Sequence, residues 1–169
     1  MNAKRREREG PGPVKPSKEK NAMKSPYLSL AIQTLVGGII MYLVMFVMID
    51  RIGSFYNNLN TLCMALMMVA PMVVLMILAM RHMFPSKGIN AALIAGSIAV
   101  FIVCFVLIRT QTTIGDDSFL RSMIPHHSGA ILMCQQASLS DPQVKRLCGE
   151  IIDSQRREID EMKGILERL

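Results

Sequence analysis

Three long apolar segments constrain the fold of this chain more than any other feature of its sequence. They cover residues 28–49, 59–80 and 89–108, and none of them contains Asp, Glu, Lys or Arg. A helix of about 20 apolar residues is long enough to cross a hydrocarbon core of about 30 Å. We therefore predict an all-α integral membrane protein with three transmembrane helices, whose first partner is the lipid bilayer.

Positive charge is concentrated ahead of the first apolar segment. Residues 1–24 hold eight Lys or Arg and three Glu, among several Pro and Gly. Such a composition cannot bury a core, so residues 1–26 are predicted to be a disordered basic tail. The positive-inside rule puts this tail in the cytoplasm, and three crossings by residues 27–109 then put residues 110–169 outside. We expect a multi-pass protein of a bacterial inner membrane with a periplasmic or extracellular C-terminal domain. The basic run is short and lacks aromatic partners, which argues against nucleic acid as a partner.

The last 60 residues have the pattern of an antiparallel helical hairpin. Two amphipathic stretches flank a short turn, in which Asp141 is a good N-cap and Pro142 suits the first helical position. A lone hairpin buries little surface. It is therefore expected either to dock on the membrane helices or to dimerise into a four-helix bundle, which would make the protein a homo-oligomer.

Potential metal ligands are concentrated in the first helix of this hairpin. Within twelve positions it carries two thioethers, two imidazoles and a thiol: Met123, His126, His127, Met133 and Cys134. Met123 and His127 are four residues apart and share a helix face. Thioether and imidazole ligands together suit copper, particularly Cu(I), or silver. The simpler interpretation is that the His pair lies on a helix surface and that the Met residues fill a core.

The second helix of the hairpin offers a complementary set of side chains. Gln155, Glu158 and Met162 follow a 3–4 spacing on the face that should meet the first helix. Folding the hairpin about residue 140 brings His127 within about a turn of Gln155. We expect Met162 to be a metal ligand, and Gln155 or Glu158 to orient a His ring through its N–H.

The segment from Phe119 to Leu166 resembles the family called "domain of unknown function 305". The resemblance covers about 50 of the 169 residues and both halves of the hairpin. The family pattern is M-x-x-H-H-x-x-A-I-x-M, followed by I-x-x-x-Q-x-x-E-I-x-x-M. This sequence carries it as Met123, His126, His127, Ala130, Ile131, Met133, Ile152 (three residues before Gln155 rather than four), Gln155, Glu158, Ile159 and Met162. The resemblance implies a helical, ferritin-like half-bundle. It also implies a metal-binding role, because some members are copper-binding proteins with His and Met ligands.

Four cysteines leave alternatives open. Cys134 and Cys148 lie at comparable distances on either side of the predicted turn, so an oxidising compartment would allow a disulfide between them. They could also be two inert thiols, or Cys134 could be a thiolate ligand for copper. Cys63 and Cys104 lie in predicted membrane spans, where packing is the simpler interpretation.

These patterns favour a membrane-anchored periplasmic protein that binds copper for sequestration or handling. The predicted ligands are Met123, His126, His127, Met162, Met133 and Cys134. A di-metal enzyme of the ferritin-like kind is disfavoured, because neither His of the pair follows a Glu by three residues. The alternative is a membrane scaffold or sensor whose hairpin binds a partner protein without metal.

Overall fold

Helix accounts for most of the described chain. The computed structural model describes the backbone of residues 17–169 and the side chains of residues 26–169. It contains α1 (Ser17–Val44), a 3₁₀ turn (Ile52–Ser54), α2 (Leu59–Ala79), α3 (Lys87–Thr110), α4 (Asp116–Gln136) and α5 (Pro142–Leu166). No strand occurs among residues 17–169. The predicted all-α class, with three apolar helices followed by a helical hairpin, is confirmed.

Three of these helices are long and apolar enough to cross a membrane. The candidate spans are Pro26–Val44, Leu59–Ala79 and Lys87–Thr110. Most of their large apolar side chains point outward, such as Leu35 with 66% of its surface exposed. An apolar surface of this extent would be unfavourable in water and is matched to lipid. The three spans therefore suggest association with a membrane, as predicted.

The first helix differs from the prediction at both ends. It ends at Val44 rather than near residue 49, because the backbone N–H groups of Phe46 and Val47 bond three residues back rather than four. It begins at Ser17, so residues 17–26 are helical although the whole stretch 1–26 was predicted to be disordered. Residues 1–16 of that predicted tail lie outside the described part of the chain.

Helix α2 lies at the centre of the membrane region. Both α1 and α3 pack against α2, whereas along most of their length in the described residues α1 and α3 lie apart from each other. Their separation leaves an apolar groove of about 1240 Å³ lined by all three helices. At one end of the bundle Tyr27 ties α1 to the start of α3, since its hydroxyl donates to Oδ1 of Asn90 at 2.9 Å.

The hairpin of α4 and α5 docks on the other end of the bundle. Docking on the membrane helices was one of the two arrangements predicted from the sequence, the other being dimerisation. Helix α3 is closed by Gln111, whose left-handed backbone has φ 53° and whose side-chain amide exchanges two 3.1 Å hydrogen bonds with Asn60. The Asn60 amide also donates to the Ser122 hydroxyl of α4 at 3.3 Å. Tyr56, which precedes α2, packs against the apolar core of the hairpin.

That apolar core is small and is formed mostly by the hairpin itself. Its buried members come from both helices: Leu120, Ile124, Ile131, Ile159 and Met162. Asp141 caps α5 as predicted, accepting hydrogen bonds from the backbone N–H groups of Gln143 and Val144. Near the turn, Cys134 and Cys148 form a disulfide with a Cα–Cα distance of 5.3 Å. The hairpin is thus held by apolar packing at its centre and by a covalent bond near its turn.

Candidate metal centre

The pairing of α4 with α5 fixes which predicted ligands face one another. His127 faces Glu158, with 3.1 Å between Nδ1 and Oε2. Met123 and Met162 lie about one helical turn from this pair, on the side that faces the membrane bundle. Met123 is four residues before His127 on α4, and Met162 is four residues after Glu158 on α5. Both methionines belong to the hairpin's apolar cluster. We call the interface between α4 and α5 at these residues the seam. Two successive levels of the seam therefore carry an imidazole beside a carboxylate and then two thioethers.

His127 has a polar atom without a hydrogen bond. Its side chain is 13% exposed, and Nδ1 is buried with no hydrogen-bond partner among the described residues. The Glu158 carboxylate lies within ion-pair distance of Nδ1 but off the direction of a ring N–H, which is why the contact is not a hydrogen bond. Glu158 itself is held by Ser154, whose hydroxyl donates to Oε1 at 2.9 Å. A buried nitrogen in this position would gain from a partner.

The electrostatics of the pair favour a neutral ring. Burial lowers the pKa of His127 from its ordinary value of 6.5. The Glu158 carboxylate opposes this effect and raises the pKa, while the neighbouring His126 lowers it. Because the pKa stays below its ordinary value, His127 is neutral at pH 7, which is the form of imidazole that binds metals.

The two methionines fill the apolar core as well as carrying a soft donor. Met162 is 8% exposed, and Met123 is half-buried against the cluster that contains Met162. The packing interpretation is therefore correct for both as far as their apolar atoms are concerned. Thioether sulfur is a weak acceptor that can lie in such a core without a hydrogen bond, so packing and ligation are compatible.

The other predicted site residues lie apart from this seam. The His126 ring is exposed, with its centroid 5.9 Å from that of His127. Met133 is 55% exposed near the turn, and Cys134 is engaged in the disulfide, where it offers no thiolate. Gln155 is half-buried one turn closer to the loop than Glu158, so of the two predicted partners for a His ring it is Glu158 that faces His127. The seam thus brings together Met123, His127, Glu158 and Met162.

This set is sparse for a metal site built of the usual hard and borderline ligands. Among the described residues there is no group of three or more His, Cys, Asp and Glu side chains that could hold a metal ion. One imidazole, one carboxylate and two thioethers would instead suit a soft ion, which needs few ligands and accepts sulfur. The buried unpartnered Nδ1 is the observation that makes a bound ion compatible with this seam.

Sequence reasoning missed the residues that join the hairpin to the bundle. The hydroxyl of Ser128, directly after the His pair, accepts from the backbone N–H of Asp50 at 2.7 Å and donates to the Asp50 carboxylate. Gly129 lies against the backbone of Met48, where a Cβ would come within 3.6 Å of the carbonyl oxygen. The sequence offered two signals of this attachment. Ser128 and Gly129 are adjacent small residues in a helix with many large side chains, and Asp50 is an acidic residue at the end of an apolar segment.

Comparison with known proteins supports the assignment of the hairpin. A family model described as "Domain of unknown function (DUF305)" matches residues 107–168. The chain is similar to the uncharacterized protein L153 of Acanthamoeba polyphaga mimivirus, with 39% identity over 121 residues, which cover 70% of this chain and 77% of that protein. No solved structure matches the chain.

Proposed function

The chain belongs to the DUF305 family, and we propose that it is a membrane-anchored protein whose helical hairpin binds copper. In this proposal it is a binding protein rather than an enzyme, and it sequesters the ion or passes it on. The observation that supports it most is the buried, unpartnered Nδ1 of His127, which lies about one helical turn from the level of Met123 and Met162.

The donor set favours Cu(I) over other ions. Thioether sulfur and neutral imidazole are soft and borderline ligands, which Mg²⁺ and Ca²⁺ do not select. Met123, His127 and Met162 would be the ligands. Because the ring of His127 has no hydrogen bond among the described residues, it can turn one nitrogen to the ion and the other to Glu158. A carboxylate in that position fixes the tautomer and makes the imidazole a better ligand. Exposed His126 would serve the approach of the ion rather than its final binding.

Cu(I) affinity of the full-length protein tests this proposal. The purified chain in detergent is titrated anaerobically with Cu(I) against a competing chelator. We expect His127→Ala to weaken the hairpin site by a factor of about 100 or more, since changes even to groups that only orient a ligand cost 10- to 100-fold. His82→Ala is the matched control, because His82 lies in the turn between α2 and α3. Equal affinities of wild type and His127→Ala would contradict the proposal, provided that both show the same helicity.

The second candidate is a scaffold or sensor whose hairpin binds a partner protein. It is favoured by exposed apolar side chains around the hairpin turn, namely Met133, Val144 and Leu147. Exposed apolar groups of this kind also fit a second copy of the chain, which would complete a four-helix bundle. A protein that binds no Cu(I) but dimerises or captures a partner through these side chains would favour this candidate.

The location of the hairpin is also part of the proposal. If all three candidate spans cross the bilayer, the basic N-terminal tail and the hairpin lie on opposite sides. The positive-inside rule then puts the hairpin outside the cytoplasm, where a disulfide such as Cys134–Cys148 persists. A bacterial inner membrane stays a prediction from the sequence, since the relative identified above is a viral protein.

A further inference from the structure

The apolar groove between α1 and α3 runs along most of the membrane bundle. On α1 its lining extends from Tyr27 to Leu43, a distance of about 24 Å along the helix axis. Its floor is α2, and most of the side chains that line it between its two ends are apolar. The wall formed by α3 includes Gly96, where an added Cβ would meet no atom within 4 Å. The groove therefore offers a long apolar space beside the bundle.

Both ends of the groove are bounded by polar contacts. At the end away from the hairpin, the Tyr27 hydroxyl donates to Oδ1 of Asn90 at 2.9 Å and accepts from the backbone N–H of Ser86 at 3.1 Å. At the hairpin end, the Tyr42 hydroxyl donates to Oδ1 of Asn57 at 3.1 Å, and the first two turns of α4 complete the lining. An occupant must therefore enter sideways, between α1 and α3, from the surrounding bilayer.

This geometry favours a lipid over a further transmembrane helix. A helix that crosses the bilayer continues past both of its surfaces, and α4 would obstruct it at the hairpin end of the groove. A membrane helix from a second copy of the chain would meet the same obstruction. A lipid enters sideways, places its acyl chains among apolar side chains and ends in a polar head at the membrane surface. The groove has this order of groups, since its apolar part ends at charged residues of α4.

The charged residues at the hairpin end are Asp117 and Arg121, four positions apart on α4. Nε of Arg121 donates to Oδ2 of Asp117 at 2.8 Å. This is the one hydrogen bond of either side chain in the described part of the chain, so the terminal nitrogens of Arg121 and Oδ1 of Asp117 are available to a ligand. The Arg121 guanidinium also lies over the ring of Tyr56, 5.9 Å from its centroid. The Arg121 and Asp117 side chains are 40% and 53% exposed, so a head group can reach both.

We propose that the groove binds one phospholipid of the leaflet on the hairpin side, with a head group that carries a phosphate and a primary ammonium. Arg121 binds the phosphate through its terminal nitrogens, because a planar guanidinium matches phosphate oxygens. The ammonium donates to Oδ1 of Asp117, which selects phosphatidylethanolamine over phosphatidylglycerol. The acyl chains lie along α1, α2 and α3. The inference rests on the three spans crossing a bilayer and not on copper binding, since it uses no residue of the seam.

Native mass spectrometry of the full-length protein tests this site. The protein in detergent is titrated with phosphatidylethanolamine or with phosphatidylglycerol, and the lipids retained per chain are counted. We expect one phosphatidylethanolamine per chain, bound more tightly than phosphatidylglycerol. Arg121→Gln should weaken its binding about tenfold or more, because a hydrogen bond to a charged group is lost. Arg109→Gln is the matched control, since Arg109 is an exposed arginine at the same end of the bundle that does not line the groove.

Filling the groove and changing the second charge give two further tests. Gly96→Leu puts a side chain into open space in the groove and should strongly reduce the retention of lipid. Gly37→Leu is its control, because Gly37 has equally open surroundings on α1 but does not line this groove. Asp117→Asn should bring the affinities for the two lipids close together, since the ammonium loses its carboxylate.

Three results would overturn the inference. Equal retention of phosphatidylethanolamine by wild type and Arg121→Gln, or by wild type and a Gly96→Leu protein of the same helicity, would identify the lipid as one that coats the spans without a site. A lipid-free dimer that Gly96→Leu converts to monomers would show that a second copy fills the groove instead. If Gly96→Leu does not fold, Arg121→Gln still decides the outcome, because it changes a partly exposed side chain.

Discussion

Replacing Ser128 by Ala should loosen the attachment of the hairpin to the membrane helices. Ser128 is fully buried, and its hydroxyl makes two hydrogen bonds to one residue of the α1–α2 loop. It accepts from the Asp50 N–H and donates to the Asp50 carboxylate, whose side chain is 7% exposed. Alanine fills nearly the same volume but leaves both groups of Asp50 without this partner.

The magnitude follows from the groups left unpaired. A buried polar group that loses its hydrogen bond costs about 1–3 kcal/mol. The carboxylate keeps weaker contacts at 3.5 Å with Ser54 and Arg51, so its share should be near the lower end of that range. The sum is about 2 kcal/mol, which corresponds to a roughly 30-fold change in an equilibrium constant.

Amide hydrogen exchange measures this change where it occurs. Peptides covering residues 45–58 of the full-length protein in detergent should exchange roughly 30 times faster in Ser128→Ala. Ser140→Ala, in the exposed turn of the hairpin, is the control and should leave the rate unchanged. Combining Ser128→Ala with Asp50→Asn should cost less than the sum of the single changes, because the two residues share one contact. Unchanged exchange in Ser128→Ala would refute the assignment of this contact as the attachment point.

Three further changes test the hairpin itself by thermal unfolding. Replacing Cys134 and Cys148 together by Ser should cost about 3 kcal/mol, since the disulfide closes a loop of about 15 residues; an unchanged Tm would contradict its presence. In metal-free protein the unfolding free energy should fall as the pH drops below 6.5, because the unfolded chain protonates His127 before the folded one does; His127→Gln should lack this decrease. Asp141→Ala should cost about 1 kcal/mol, whereas exposed Asp160→Ala should cost little.

The membrane part of the fold could be predicted from hydropathy because a bilayer selects for length and apolarity alone. The second and third spans match the predicted ranges to within two residues. The end of α1 could not be predicted in this way. Residues 45–49 are as apolar as the helix before them, yet they leave the α-helical path so that the loop can reach Ser128 and Gly129. Contacts with a distant helix decided that boundary, and no local pattern records them.

The candidate site was predictable only in part, because the sequence reveals spacing within one helix but not the pairing of two helices. Helical spacing identified Met123 and His127 as one face, and the matching set on α5 was identified in the same way. The pairing of His127 with Glu158 rather than Gln155 depends on the register of the hairpin. That register follows from the length of the turn and from the packing of Ile124 and Ile131 against Ile159, which spacing within one helix does not reveal.

The central claim is that the hairpin seam binds copper through His127 and two thioethers. Its most direct test is X-ray absorption at the copper edge of the full-length protein loaded with one equivalent of Cu(I). The protein carries Cys63→Ser and Cys104→Ser, so that its free thiols do not compete for the ion. The account predicts an imidazole nitrogen together with sulfur from Met123 and Met162, and loss of the nitrogen in His127→Ala. A copper ion without sulfur neighbours, or one whose surroundings are the same in His127→Ala, would contradict it.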